Sequence, residues 1–197
     1  DALARATRSL VVGEQRDVNA FMGPLVDRRA AEDFQRWQGI AREEGAEVVV
    51  DGGLWDEAPH PGAAYVRPAL HRVHKVDAQC RYQREELFAP DICITTVDTV
   101  DEALHLAEDT DYGLACSVFS ANKESYLQAV RSVRCGVVNW NRSTVGANSK
   151  LPFGGMKKSG NGHPAALFST LYCTYPVASL EDDKPFDPDK LLPGITL

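Results

Sequence analysis

Two acids followed by an aromatic ring, in Glu85-Glu86-Leu87-Phe88-Ala89-Pro90, are the first residues of this chain whose types and spacing could do chemistry. A carboxylate can accept both hydroxyls of a ribose diol, as acidic groups do in dinucleotide-binding enzymes, and a nearby ring can lie against a flat heterocycle. Further along, Asn139-Trp140-Asn141 leads into the polar loop 142–150 and then into Leu151-Pro152-Phe153-Gly154-Gly155-Met156-Lys157-Lys158-Ser159-Gly160-Asn161-Gly162. Glycines at this density let a backbone approach a ligand closely, so the run is expected to present free amides and one buried ring. The small residues Gly146, Ala147 and Ser149, flanking Asn148, could grip a carboxylate through their amides, with Arg142 and Lys150 adding positive charge. On residue type alone, adjacent acids also suit a solvated face, and a Gly/Ser-rich stretch also suits a plain surface loop.

These groups need a scaffold, and the bulk numbers allow one. A chain of 197 residues can bury one real core and is marginal for two. The net charge of −7 argues against nucleic acid or an anionic membrane as partner, since either leaves a basic footprint. No apolar run approaches the ~20 residues that span a bilayer. Cys80, Cys93, Cys116, Cys135 and Cys173 are odd in number and scattered through apolar segments, which reads as free, buried packing thiols in a reducing cytoplasm. His71 and His74 are three apart on an expected strand, an offset that sends them to opposite faces, and His60, His105 and His163 are isolated, so no metal site is expected. The chain opens at Asp1 inside what reads as the last turns of a helix, an opening expected of a piece of a longer polypeptide.

The elements alternate. Ala30, Phe34, Trp37 and Ala41 fall on one helical stripe that Gly45 ends, and Ala46 to Val50 reads as a strand. Pro59, Pro61 and Gly62 mark a loop before a strand from Ala64 to Leu70. Ile92 to Val97 is short and β-branched, as a buried parallel strand should be. Thr99 and Glu102 stand in capping-box register before a helix whose inward face would be Val100, Ala103, Leu104 and Ala107. Leu114 to Phe119 reads as a strand, Asn122 to Arg134 as a helix with Tyr126, Ala129, Val130 and Val133 inward, and Val137 to Trp140 as a further strand. This rhythm predicts an α/β fold with a mostly parallel sheet flanked by helices. Leu171 to Ala178 is strand-like, but Pro176 confines it to an edge. Three spans follow: an α/β portion over 1–170, an edge strand over 171–181, and a loosely packed tail over 182–197 rich in proline and aspartate.

The acid-aromatic motif and the Pro-Phe-Gly-Gly turn together resemble the C-terminal half of an NAD(P)-dependent aldehyde dehydrogenase. In that family the motif reads Glu-Glu-apolar-Phe-Gly-Pro; Ala89 stands here where glycine is usual. The resemblance implies that Glu86 holds the nicotinamide ribose and Phe88 contacts the ring region, while Gly146, Ala147, Asn148, Ser149 and Phe153 wall the substrate funnel. It also implies a homo-oligomer joined through Tyr172 to Ala178, with an exposed edge as the pairing template. The likeness is sharpest from Glu85 to Glu181, where the chain is similar to the branch of the family acting on N-succinylglutamate 5-semialdehyde, an anionic substrate of arginine breakdown. The family's reaction has a cysteine thiolate attack the aldehyde and hydride pass to NAD, or in some members NADP, before a glutamate-activated water releases the acid. The Gly-Gln-x-Cys and Glu-Leu-Gly-Gly contexts of that cysteine and glutamate do not occur in these residues, nor does a dinucleotide-binding glycine loop. Cys80, beside Gln79, imitates the nucleophile but lies on the wrong side of Met22-Gly23-Pro24 for the family's order. The chain alone is therefore expected to be inactive. A non-catalytic domain of the same fold, serving assembly, is the alternative.

Overall fold

A computed structural model describes residues 1–14, 16–55, 58, 60, 62–76, 79–146, 148–185, 187 and 193–195. Helix α1 (Ala2–Ser9) leads to α2 (Arg28–Glu43), where the Asp27 side chain accepts the Ala30 amide at 2.7 Å as an N-cap. The far end of α2 closes in a Schellman motif, with the Ala46 amide on the Ala41 carbonyl and the Gly45 amide on Arg42. Gly45 sits at φ +85°, which only glycine adopts without cost. Phe34 and Ala41 are fully buried, as their stripe predicts, and Trp37 is half-buried.

The chain then forms β1 (Glu47–Val50), β2 (Gly53–Leu54), β3 (Val66–Arg67) and β4 (Ala69–Arg72). Pro68, which has no amide hydrogen, divides the single strand expected over Ala64 to Leu70 into β3 and β4. The short helix α3 (Arg81–Arg84) precedes the acid-aromatic motif, and β5 (Asp91–Ile94) follows it. Strand β4 is the centre of a three-stranded sheet, antiparallel to β1 and parallel to β5, with His71 opposite Cys93. Helix α4 (Val100–Glu108), β6 (Tyr112–Gly113), β7 (Ala115–Val118), α5 (Lys123–Ser132), β8 (Val137–Trp140) and β9 (Met156–Lys157) complete the regular elements before a 3₁₀ turn (Ala166–Phe168) and α6 (Ser169–Tyr172). Strands β7 and β8 pair in parallel across α5; β2 with β3 and β6 with β9 pair antiparallel. The α/β class holds, but the sheets are mixed rather than mostly parallel: β4–β5 and β7–β8 pair in parallel, whereas β1–β4, β2–β3 and β6–β9 pair antiparallel.

The core lies toward the N-terminus. Three clusters, around Phe34 and Val66, around Ile40, Val73 and Tyr82, and around Val50 and Leu70, hold α1, α2 and the first sheet together. Among the described residues beyond Ile94, only Ala129 and Val133 are buried apolar side chains. Here the structure corrects the sequence-based picture. Strand β5 was expected to be covered on both faces, yet Ile92 is 45% exposed and Cys93 is exposed. The expected inner face of α4 has Val100, Ala103 and Ala107 exposed and only Leu104 half-buried, and Val130 on α5 is exposed too. The patterning is that of elements with a layer on each side, and within these residues one layer is lacking.

The Thr99 cap forms, its hydroxyl accepting the Glu102 amide at 3.1 Å, while Glu102 reaches back to the amide of Asp98 rather than of Thr99. The edge strand expected over Leu171 to Ala178 is not seen: Leu171 and Tyr172 finish α6, and residues 173–181 run exposed without a ladder partner. Pro176 in this segment has no amide hydrogen to give a ladder. Of the tail beyond Glu181, residues 182–185, 187 and 193–195 are exposed. Pro59 and Pro61 of the expected loop lie outside the described residues.

Candidate functional site

The segment between α3 and β5 alternates its side chains. Leu87 packs against the cluster of Ile40, Ala41, Val73 and Tyr82, and Ala89 packs against that of Phe34 and Val66. Glu86, just before the first anchor, and Phe88, between the two, are exposed, with Phe88 at 85%. Phe88 adopts φ +50°, a left-handed conformation that is strained for an aromatic residue. Two hollows flank the segment. One of about 560 Å³ is lined by Tyr82, Phe88, Asp91 and Cys93 with the near side of α4. The other, of about 660 Å³, takes Glu86, Tyr112, Cys116, Lys158 and Ser159. Glu85 and Arg84 border both. An outward carboxylate beside a concave wall, next to a ring raised off the surface, suits a ribose diol and a flat heterocycle.

Buried polar groups stand directly behind this segment, and sequence reasoning missed them. Tyr82 Oη donates to Asp91 Oδ1 at 2.5 Å and lies 2.9 Å from His71 Nδ1. Gln38 Nε2 donates to the other Asp91 oxygen at 2.8 Å. Gln38 and His71 are fully buried, and Gln38 Oε1 and His71 Nε2 have no hydrogen-bond partner among the described residues. Burial and the Asp91 carboxylate push the Tyr82 phenol far above its ordinary range, so it stays a proton donor. Nothing in the periodicity of a four-residue helix marks Tyr82, and only the β4–β5 register brings His71 and Asp91 together. His71 therefore belongs to this cluster, whereas His74 is exposed and reaches Glu47 at 3.2 Å.

Glu44, the C-cap of α2, holds α3 by accepting the Tyr82 amide at 3.0 Å and Arg81 Nε at 2.9 Å. Burial acts to raise its pKa, but those two hydrogen bonds outweigh it and hold the carboxyl below its usual value.

The glycine-rich run does something other than expected. The place a Gly136 Cβ would take is filled by the Gly154 carbonyl, that of Gly160 by the Gly155 carbonyl, and that of Gly155 by Ser159. These glycines let backbone segments pack on one another rather than on a ligand. Ser159 Oγ accepts the Gly113 amide at 3.0 Å, which joins the turn to β6. Lys157, at φ +53°, donates through Nζ to the carbonyls of Glu108 and Thr110 at 2.8 and 3.0 Å and pairs with the Glu108 carboxylate at 3.1 Å. Glu108 also takes the Arg134 amide at 2.7 Å and its guanidinium. The Arg134 amide first, then the two cations, pull the Glu108 pKa down to about 2.

The loop expected to wall a substrate funnel is exposed throughout its described residues, Gly146, Asn148 and Ser149 among them; Ala147 lies outside the described residues. Gly146 has φ +102°, and Asn148 Oδ1 accepts the Lys150 amide at 2.9 Å, so the loop is shaped by its own turns. Phe153, expected to be buried, is 39% exposed, and it lines neither hollow beside Glu86. It is tied by main chain to Ala165 and by no layer of its own. The cysteines also depart from a wholly buried set: Cys93 and Cys173 are exposed, and Cys80, Cys116 and Cys135 are half-buried, with burial raising the thiol pKa at Cys116 and Cys135. Among the described residues no group of three or more His, Cys, Asp or Glu is placed to hold a metal, and no helix is long and apolar enough to cross a membrane.

Comparison with known proteins agrees with the fold. Residues 1–175 match the aldehyde dehydrogenase family. The chain is 35% identical to an N-succinylglutamate 5-semialdehyde dehydrogenase of Legionella pneumophila, aligning over 100% of its own length and 39% of the relative's. It is 36% identical to the enzyme of that name from Acinetobacter baylyi over 96% of this chain and 38% of that one. Among solved structures it resembles a Mycobacterium tuberculosis aldehyde dehydrogenase complexed with NAD+, with a TM-score of 0.77 and 27% identity over 87% of this chain and 34% of that one. A Pseudomonas syringae aldehyde dehydrogenase C mutant in complex with NAD+ and octanal gives 0.73 and 32% over 84% and 33%. The chain thus spans about two fifths of the curated relatives it matches, 39% of the first. Sequence and backbone agree: the chain belongs to the aldehyde dehydrogenase family.

Proposed function

We propose that this chain is the cofactor-and-substrate wall of an NAD-dependent aldehyde dehydrogenase that oxidises an anionic semialdehyde, N-succinylglutamate 5-semialdehyde, to the acid. Glu86 would hold the nicotinamide ribose and Phe88 the ring, while Gly146, Ala147, Asn148, Ser149 and Phe153 would line the path of the aldehyde. When bound, NAD accepts the hydride. The attacking thiolate and the base that activates water come from polypeptide outside these residues, as does most of the dinucleotide cleft, so the chain alone is inactive. NADP is not distinguished from NAD by any group here.

The observation that carries this reading is the alternation at the motif, with Leu87 and Ala89 anchored in two core clusters while Glu86 and Phe88 face out, each beside one of the two flanking hollows. The names of the relatives support the substrate, and the uncovered apolar faces of β5 and α4 support a missing layer. Residues 171–181, with Tyr175 and Val177 exposed, would extend the sheet of a second copy, and the described tail residues 182–185, 187 and 193–195 would follow, loosely packed. Unpaired thiols suit the cytoplasm.

The test is an assay of the native polypeptide that carries these residues, with N-succinylglutamate 5-semialdehyde and NAD, beside the 197-residue chain alone. Turnover is expected in the first and none in the second. Glu86→Gln in the active protein should raise the KM for NAD about ten-fold, as loss of a charge-assisted hydrogen bond does. A native polypeptide with no oxidation of any aldehyde would favour an assembly role instead.

A further inference from the structure

Tyr82 and Asp91 stand at the two feet of the segment that carries Glu86 and Phe88, and their side chains join across its base at 2.5 Å. Each foot is held by separate elements. Tyr82 is fixed through its amide to Glu44 at the end of α2, and its ring lies edge-on to His71 of β4. Asp91 heads β5 and takes Gln38 of α2 at its second oxygen. With the Tyr82 proton on Asp91, His71 carries its hydrogen on Nδ1 and donates to the Tyr82 oxygen. The set is almost wholly removed from water: Tyr82 is 5% exposed and the Asp91 side chain 6%.

Apolar residues would fill this space at less cost than a buried carboxylate with its donors, so the arrangement calls for a reason. Between the feet stands one. Phe88 is held at φ +50° while 85% exposed, and such a conformation persists only where the surroundings over-determine it.

We propose that the Tyr82–Asp91 hydrogen bond is a clasp that closes the base of this loop, and that Tyr82, Asp91 and His71 are positioning residues holding Glu86 and Phe88 in their outward arrangement. The proposal rests on the reading of Glu86 and Phe88 as cofactor contacts. Tyr82 and the Asp91 side chain are almost wholly buried and His71 is fully so, which suits a positioning role rather than direct contact with cofactor or substrate. They act by keeping the acid and the ring where a ribose and a nicotinamide would meet them without a reordering cost on binding.

Tyr82→Phe deletes only the hydroxyl and keeps the ring in its cluster. In the native polypeptide that carries these residues, it should speed amide exchange at residues 86–89 about ten-fold and raise the KM for NAD by about the same factor, with kcat within about two-fold. Asp91→Asn is the conservative rescue. The new amide oxygen still accepts from Tyr82, and a flip of the Gln38 amide lets its free Oε1 accept from the new amide nitrogen. Exchange and KM should then stay close to those of the native protein, whereas Asp91→Ala, which removes this acceptor of the Tyr82 hydroxyl, should quicken exchange at residues 86–89 and raise the KM for NAD as Tyr82→Phe does. Asp91→Ala decides the matter if Tyr82→Phe folds poorly.

Exchange at 86–89 unchanged in Tyr82→Phe, or quickened equally along β4 and β5 with the KM for NAD unmoved, overturns the clasp. Glu86→Gln separates the two readings. If it leaves the KM for NAD unchanged while Tyr82→Phe still frees residues 86–89, the clasp stands and the cofactor assignment falls.

Discussion

The Gly136 α-carbon rests against the Gly154 carbonyl, with no room between them for a side chain. That contact seats the Pro-Phe-Gly-Gly turn on the start of β8, and Gly155 against Gly160 repeats it one turn later. The turn owes its shape to backbone packing on backbone, so its glycines answer to stability before they answer to any ligand.

Gly136→Ala should therefore destabilise the protein by about 3 kcal/mol, the upper end of overpacking against a surface that cannot move aside. Gly39→Ala on α2, where an added methyl meets nothing within 4 Å, should stabilise it by about 0.5–1 kcal/mol. Urea unfolding of the two variants checks the contrast, and equal losses would show that the close approach at Gly136 is relaxed in solution.

Glu108 makes stability depend on acid. Its folded pKa of about 2 lies below the ordinary glutamate value of 4.5, so it contributes fully above 4.5 and loses that contribution as pH falls toward 2. Glu108→Gln should lower stability at pH 7 by about 1–3 kcal/mol, and the gap from the native protein should narrow between pH 4.5 and pH 2. A gap that stays constant in unfolding curves across that range would mean Glu108 is not held ionised by Arg134 and Lys157.

The asymmetry of the core is testable by paired truncations. Phe34, fully buried, should cost about 3–5 kcal/mol on replacement by alanine. Val145, at 84% exposed in the polar loop, should cost under about 0.5 kcal/mol when replaced by serine. Chemical denaturation of both would show whether the N-terminal clusters dominate.

The C-terminal segment should act between molecules. Tyr175→Asp with Val177→Asp alters two side chains that are 88% and 82% exposed and touch no cluster of the fold. The pair should leave the unfolding midpoint unchanged and lower the mass seen by light scattering. An unchanged mass would remove residues 171–181 from the interface.

Much of the local structure was readable from residue order. Phe34 and Ala41 fall on a stripe because helices repeat every 3.6 residues, Gly45 ends the helix because only it accepts φ +85°, and Thr99 caps α4 through its own side chain. The acid-aromatic motif was readable too, since its residues are consecutive and Leu87 and Ala89 alternate inward. Burial was not. Val100, Ala103 and Ala107 form an apolar face in sequence, but whether a face is covered depends on what packs against it, and all three are exposed among the described residues.

What the sequence by itself determined was the order and type of most elements and the family pattern, because each depends on neighbours a few positions apart. Only the tertiary structure decided that Gln38, His71, Tyr82 and Asp91 share one buried network, and that Gly136 touches Gly154. Those groups come from an α-helix, two strands, a short turn of helix and a distant loop, and sheet register and chain crossing, which no local pattern encodes, bring them within hydrogen-bonding or van der Waals reach.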